Sequence, residues 1–192
     1  MLFRSISVWD MTTGKERAAL KANSGLRVGT VLFSTDDKVL AVSSSPAPTE
    51  AELGLRDEVR LWDTATLKEL CALQTNQLDV SIALASDGKT LASADRTIKL
   101  WSVATGKELR SLNGGGVALA FSPGEGKTLL SAGSGGTIKW WDVATGKEQG
   151  IIQTHRQGPS AVFRAYAFSP DSQLLASVSG EIELWDVPEM PR

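Results

Sequence analysis

The sequence predicts an all-β protein that is built from repeated four-stranded units. A segment of five residues recurs five times, and in each copy aliphatic residues alternate with variable ones before a tryptophan. This period of two is typical of a half-buried strand. The tryptophans of successive copies are 53, 39, 40 and 44 residues apart. A repeat of about 40 residues suits four strands better than a helical unit, and no amphipathic stretch of helical length interrupts the pattern.

The strand that ends in tryptophan is the most regular element of the repeat. Because tryptophan recurs at one strand position, we predict that these side chains pack between units rather than stack on a ligand. Trp140 precedes Trp141, so its side chain must point to the opposite face of the strand. Leucine fills that register in three other copies, and we therefore predict that Trp140 is a core variant. The five copies span residues 6–10, 59–63, 98–102, 138–142 and 182–186, and their tryptophans are Trp9, Trp62, Trp101, Trp141 and Trp185.

An aspartate follows the tryptophan in four of the five copies. Carboxylates at recurring positions could form a catalytic pair, but equivalent strand ends are spaced around an array and do not converge on one substrate. We predict instead that each carboxylate accepts backbone hydrogen bonds within its own turn. The four residues are Asp10, Asp63, Asp142 and Asp186.

The turn after each of the first four copies has the pattern Thr-Gly-Lys-Glu, with one exception. Gly14, Gly106 and Gly146 supply the positive φ that a tight hairpin turn requires. Leu67 stands in place of glycine in the second copy, so this turn is predicted to be strained or of another type.

A second strand lies upstream of each later tryptophan, in residues 31–34, 82–85, 119–122 and 166–169. Turn residues and a further strand such as 90–93 follow it. Gly114-Gly115-Gly116 resembles a phosphate-binding loop, but no helix follows these glycines. We therefore interpret them as a shortened turn.

Together these residues resemble the WD-repeat family, and the resemblance covers nearly the whole chain. Residues 120–123 (Ala-Phe-Ser-Pro) and 137–142 (Thr-Ile-Lys-Trp-Trp-Asp) match the family's typical unit well. The resemblance implies a β-propeller, a radial array of four-stranded blades with strands a to d from the centre outwards. Trp-Asp then ends strand c, and the chain contains 17 strands. We expect a partial blade at 1–20, whole blades at 21–73, 74–112 and 113–152, and a partial blade at 153–192.

This arrangement predicts an incomplete ring. A seven-bladed propeller, which is common in the family, needs about 280 residues. A four-bladed ring closed by the N-terminal strand d would demand steep angles between blades. An open arc would expose blade faces and strand edges, and both favour association. Either a second copy closes the ring, by exchange of terminal strands, or the remaining blades lie on sequence outside this chain.

Composition excludes several classes of function. The 192 residues carry 20 basic and 22 acidic side chains, well mixed, so we expect no nucleic-acid partner. No apolar run has the length of a signal peptide or a membrane span, which favours a cytoplasmic protein with no membrane partner. Cys71 is the only cysteine, so an internal disulfide framework and a thiolate metal site are both excluded. We expect no metal and no cofactor.

No residue is predicted to be catalytic. In the resembled family a histidine before strand a often bonds to an aspartate in the b–c turn and to the strand-c tryptophan. His155, the only histidine, lies in such a loop, but its blade has no aspartate at the turn position. Asp95 occupies that turn position in another blade, where the preceding loop offers no histidine. The resemblance therefore implies structural roles for both residues.

Two insertions are the candidate binding loops, at residues 44–57 and 153–161. The family places both loop types on one face, and loops on a rigid scaffold often bind partners. Tolerated surface insertion is an equally good interpretation of each loop. We expect a non-catalytic scaffold that binds proteins or peptides. The alternatives are a propeller-type enzyme or a regulatory sensor domain acting at the channel mouth, or an incomplete product that folds poorly alone. The residues singled out are Pro46, Pro48, Glu50, Arg56, Arg156 and Gln157.

Overall fold

The computed structural model confirms the predicted all-β class. It describes residues 5–21, 26–46, 57–75, 81–94, 97–116, 118–123, 126–133, 137–153, 165–169, 174–178 and 182–186. Within these ranges the chain forms 17 strands and no helix, and the number of strands is the predicted one.

The strands form five antiparallel sheets, numbered here in chain order. Sheet 1 contains β1 (Ser5–Asp10) and β2 (Lys15–Lys21). Sheet 2 contains β3 (Leu26–Phe33), β4 (Val39–Pro46), β5 (Glu58–Asp63) and β6 (Glu69–Gln74). Sheet 3 contains β7 (Ser81–Leu84), β8 (Thr90–Ala94), β9 (Ile98–Ser102) and β10 (Glu108–Leu112). Sheet 4 contains β11 (Ala118–Phe121), β12 (Thr128–Gly133), β13 (Thr137–Asp142) and β14 (Glu148–Gln153). Sheet 5 contains β15 (Ala165–Phe168), β16 (Leu174–Val178) and β17 (Ile182–Asp186).

The sheets are arranged as blades around a common inner edge. The first strands of sheets 2 to 5 contact one another in sequence, β3 with β7, β7 with β11, and β11 with β15. Each sheet then runs outwards strand by strand in chain order. In the part of the chain that the structure describes, no strand of sheet 5 contacts sheet 1 or sheet 2. The array is therefore an open set of propeller blades and not a closed ring.

The core lies between successive sheets and is built the same way four times. Each interface contains the tryptophan of the later sheet and the residue that precedes the tryptophan in the earlier one. Between sheets 3 and 4, for example, Leu100 and Leu112 of sheet 3 pack with Trp141, Leu129 and Phe121 of sheet 4. Periodic placement of these residues in the sequence thus becomes periodic packing between sheets. The tryptophans of the four interfaces are Trp62, Trp101, Trp141 and Trp185.

Two of the buried indoles have a polar partner inside the interface. Trp101 Nε1 donates to Ser93 Oγ at 2.8 Å, and Trp141 Nε1 donates to Ser131 Oγ at 2.9 Å. Both serines are buried, so each hydrogen bond satisfies two groups that would otherwise be desolvated without compensation. The bonds fix the orientation of the rings that hold adjacent sheets together.

Trp140 packs on the face opposite to Trp141, as the sequence predicts. Trp141 lies in the interface with sheet 3, while Trp140 lies in the interface with sheet 5. Its cross-strand partner is Gly150, and a Cβ atom there would overlap the Trp140 ring. The corresponding pairs in sheets 2 and 3 are Leu61 with Cys71 and Leu100 with Arg110, so the larger indole is accommodated by glycine.

The exceptional turn at Leu67 has the same geometry as the glycine turns. Leu67 has a φ of 56°, close to the 65° of Gly14 and Gly106. Its N–H donates to the Asp63 carbonyl at 2.8 Å, as the Gly106 N–H does to the Ser102 carbonyl. A left-handed conformation costs a non-glycine residue about 1–2 kcal/mol. Of the two sequence-based interpretations, the strained turn is therefore correct and the different turn type is wrong.

Candidate functional site

The predicted binding loops lie mostly outside the described residues. Pro46 is the last residue of β4 and is buried, so it belongs to the sheet and not to an exposed loop. The other loop candidates, Pro48, Glu50, Arg56, Arg156 and Gln157, fall outside the described ranges, as do His155 and Asp95. Binding by these loops remains a prediction.

The aspartates after the tryptophans serve their own turns. Asp10 Oδ1 accepts from the backbone N–H groups of Thr12 and Thr13, both at 2.8 Å. Asp63 Oδ1 accepts from the hydroxyl and the N–H of Thr66, both at 2.7 Å. Hydrogen bonds from the Thr13 N–H and the Thr66 hydroxyl hold the pKa of Asp10 and of Asp63, respectively, below the ordinary value. The Oδ1 atoms of these two carboxylates are thus occupied by hydrogen bonds within their own turns.

Asp142 repeats this arrangement in sheet 4. Its Oδ1 accepts from the Thr145 hydroxyl at 2.5 Å and from the Thr145 N–H at 2.6 Å. The hydroxyl is the main reason that the pKa of Asp142 is lowered. The residues that follow Asp186 lie outside the described ranges.

The described residues contain neither a cluster of metal-binding side chains nor a helix that could span a membrane. Within the described ranges, no group of three or more histidine, cysteine, aspartate and glutamate residues could hold a metal ion. The same ranges contain no helix of sufficient length and apolarity to cross a membrane.

The first end of the array exposes an apolar face. Trp9 is 55% exposed, whereas Trp62, Trp101 and Trp141 are 4%, 8% and 3% exposed. The difference has a simple cause, since no described sheet precedes sheet 1. Phe33 is 56% exposed on the side of sheet 2 that faces sheet 1. It pairs with Leu40, which packs against sheet 1, and directly paired residues share a face.

The second end of the array exposes the other face of a sheet, which in the inner sheets packs against the tryptophan of the following sheet. Ile182 is 75% and Leu184 is 68% exposed, whereas their equivalents in sheet 3, Ile98 and Leu100, are at most 1% exposed. Leu174 is on the same face and is also exposed. Ile98 and Leu100 are buried because Trp141 of the next sheet covers them. No described sheet follows sheet 5.

A cleft of about 470 Å³ adjoins the first end of the array. Its apolar wall is formed by side chains of β1, sheet 2 and the strained turn, and Arg17 and Asp37 provide charged groups. Leu67 and Asp37, the two described non-glycine residues with a left-handed backbone, both line the cleft. The complete lining is Val8, Trp9, Arg17, Phe33, Asp37, Leu40, Thr64, Ala65 and Leu67.

Exposed blade faces are predicted from the sequence, whereas Phe33, Ile182, Leu184 and the cleft are not. A signal for them exists in the register of the repeat. Leu184 aligns with Leu100, and Trp9 aligns with Trp101. The first and last copies must therefore each expose one sheet face that an adjacent sheet covers in the inner copies.

Comparisons with known proteins agree with this fold. The family model WD40, described as "WD domain, G-beta repeat", matches residues 68–102 and 106–142. A chain in a crystal structure of the Mitotic Checkpoint Complex is similar at 21% identity and a TM-score of 0.74, over 96% of this chain and 57% of that one. The computationally designed Ika8 protein is similar at 26% identity and a TM-score of 0.70, over 94% of this chain and 52% of that one. This chain thus spans little more than half of either structure. No curated protein matches it.

Proposed function

Because residues 68–102 and 106–142 match the WD40 repeat, we propose that the chain is a non-catalytic protein-binding scaffold and one section of a larger or oligomeric propeller. The observation that carries this proposal is the contrast between the end sheets and the inner sheets. Side chains that are buried between inner sheets are exposed at equivalent positions of sheets 1 and 5. Exposed contiguous apolar faces of this kind mark interaction surfaces.

The two ends are the two halves of one kind of interface. Sheet 5 presents Leu184, whose equivalent Leu100 packs against a tryptophan of the following sheet. Sheet 1 presents Trp9, whose equivalents pack against the preceding sheet. The chain therefore exposes both halves of the interface that joins its own repeats, the leucine face on sheet 5 and the tryptophan face on sheet 1. Contact between them joins copies head to tail, which is a heterologous association.

The non-catalytic part of the proposal is supported by the carboxylates. Asp10, Asp63 and Asp142 each accept hydrogen bonds within their own turn, so their carboxylates serve three separate turns and not one common substrate site. Of the insertions at 44–57 and 153–161, the residues outside the described ranges remain proposed as additional binding elements for protein or peptide partners, on the strength of the sequence pattern.

The association is tested by placing a charge on the second end face. For Leu184→Lys we expect a loss of self-association, because a buried ammonium at the interface is strongly unfavourable. Light scattering at increasing protein concentration should give masses that rise above the 20.4 kDa chain for the unmodified protein and stay near it for the variant.

Leu109→Lys is the matched control, because Leu109 is 57% exposed but lies on the outer strand β10 of an inner sheet. It should associate like the unmodified protein. A 20.4 kDa mass for the unmodified chain at every concentration, or equal behaviour of the two lysine variants, would contradict the proposed interface.

A further inference from the structure

The strand β1 has an edge that no described strand occupies. Among the described residues, β1 pairs with β2 alone, whereas the equivalent strands β5, β9, β13 and β17 each pair with the preceding strand of their sheet. An unpaired edge presents backbone N–H and C=O groups that another extended segment can bond. The cleft lies beside this edge, and Val8 and Trp9 of β1 contribute to its wall.

The other four sheets show which side chains lie on the strand that pairs with this edge of the tryptophan strand. A leucine stands directly opposite the tryptophan in every case, as in Leu91 opposite Trp101 and Leu129 opposite Trp141. The next residue is alanine in three sheets and leucine in sheet 4, and in sheets 2, 3 and 4 it packs in the interface with the following sheet. The four-residue segments that begin at this leucine read Leu-Ala-Val-Ser at 40–43, Leu-Ala-Ser-Ala at 91–94, Leu-Leu-Ser-Ala at 129–132 and Leu-Ala-Ser-Val at 175–178.

We infer that the β1 edge and the cleft bind an extended aliphatic segment of a partner protein with the pattern Leu-Ala-Ser-Ala. The segment adds antiparallel to β1, with its leucine opposite Trp9 and its alanine opposite Val8. Main-chain hydrogen bonds provide affinity, and side-chain alternation provides specificity, as in other cases of strand addition. This inference rests on the proposed scaffold function and names the chemistry of one of its partners.

The cleft is continuous with an interface that already exists. Val8 and Ile6 of β1 pack against Leu40, Val42 and Trp62 of sheet 2. In the neighbouring interface, the position of the proposed alanine is taken by Ala41, which is completely buried between sheets 2 and 3. A small residue beside Val8 therefore extends an apolar contact that the repeat makes elsewhere.

Two residues of sheet 2 give the cleft its apolar character. The exposed aromatic ring of Phe33 lines the cleft on a side that no described strand covers. Leu67 holds a left-handed backbone where the equivalent turns have glycine, and its side chain lines the same wall. Backbone strain of this kind concentrates at functional sites. Here the strained residue supplies apolar surface that glycine lacks.

The probe for this site is a labelled peptide with the sequence of residues 81–94, which forms β7, its turn and β8 in sheet 3. Fluorescence anisotropy measures its binding to the full chain. We expect saturable binding, together with slower hydrogen exchange of the β1 amides at residues 5–10. Phe33→Lys should weaken binding about tenfold or more, as expected for loss of an aromatic anchor. Leu70→Lys, which changes an exposed leucine on the outer strand β6, should leave binding unchanged.

A peptide that carries Ala92→Lys controls for register, because that side chain would enter the cleft. It should bind at least about tenfold more weakly than the unmodified peptide. The inference is overturned by absence of binding, by equal binding of the two peptides, or by binding that leaves β1 exchange unchanged. Light scattering in the same samples separates this outcome from the proposed function. A chain that self-associates through its end faces but ignores the peptide retains the scaffold proposal and loses the strand-addition site.

Discussion

Trp101→Ala is expected to lower the free energy of unfolding by about 3–5 kcal/mol, as large-to-small changes of a buried aromatic do. The indole is buried between sheets 2 and 3, where it contacts side chains of both sheets. Its removal leaves a cavity in an interface and takes away the hydrogen bond from Nε1 to the buried Ser93 hydroxyl. Chemical denaturation followed by circular dichroism measures the loss.

Trp9→Ala is the control, since Trp9 occupies the equivalent strand position but is more than half exposed. Its cost should be within about 1 kcal/mol, as for surface substitutions. Equal losses of unfolding free energy for the two variants would show that the contribution of these tryptophans to stability does not depend on their place in the array. A Trp101→Ala variant with unchanged stability would instead contradict packing between sheets and favour the interpretation that the tryptophans stack on a ligand.

Gly150→Cys is expected to lower the free energy of unfolding by about 1–3 kcal/mol, the usual cost of overpacking. A Cβ atom at Gly150 would overlap the ring of Trp140, which is held between sheets 4 and 5. At the equivalent position of sheet 2, the smaller Leu61 lies opposite Cys71. The double variant Trp140→Leu/Gly150→Cys copies that pair, so it should recover most of the stability lost by Gly150→Cys.

Thermodynamic coupling between the two positions is the quantity to measure. Residues in direct contact show interaction energies of about 0.5–3 kcal/mol in a double-mutant cycle. We expect the double variant to be more stable than the sum of the single changes predicts. Additive losses would mean that Trp140 moves away from Gly150 at no cost.

The repeat units could be predicted from sequence because their signals are local. Alternation before Trp101 or Trp141 identifies a strand, and Gly106 or Gly146 identifies the turn after it, without reference to any other sheet. The resemblance to WD repeats, which five such copies in register support, implied 17 strands and an incomplete ring. Among the described residues the structure forms 17 strands, in five sheets that do not close on one another.

Features that depend on a neighbouring sheet could not be obtained in the same way. Leu184 and Leu100 have the same local sequence context, yet one is exposed and the other buried, because only Leu100 has a sheet over it. The sequence allows two geometries for the Leu67 turn, because the hydrogen bond from the Leu67 N–H to the Asp63 carbonyl competes with an unfavourable φ. The structure shows that the hydrogen-bonded turn prevails.

The candidate site shows the same division. The sequence pattern indicates the long loops as binding elements, and their residues Pro48 and Arg156 lie outside the described ranges. The cleft instead combines Trp9, Phe33 and Leu67 from three separate segments. Their proximity depends on how sheet 1 packs on sheet 2, which no local pattern specifies.

Head-to-tail contact between the end faces is the central claim, and cross-linking of two different variants tests it most directly. In a Cys71→Ala background, which removes the native thiol, one chain carries Ser7→Cys on the Trp9 face and the other carries Ile182→Cys on the Leu184 face. A short bifunctional thiol reagent is added to the mixture. We predict that mixed dimers exceed both types of homodimer. Mixed dimers no more abundant than those formed when Leu109→Cys replaces Ser7→Cys would contradict the claim.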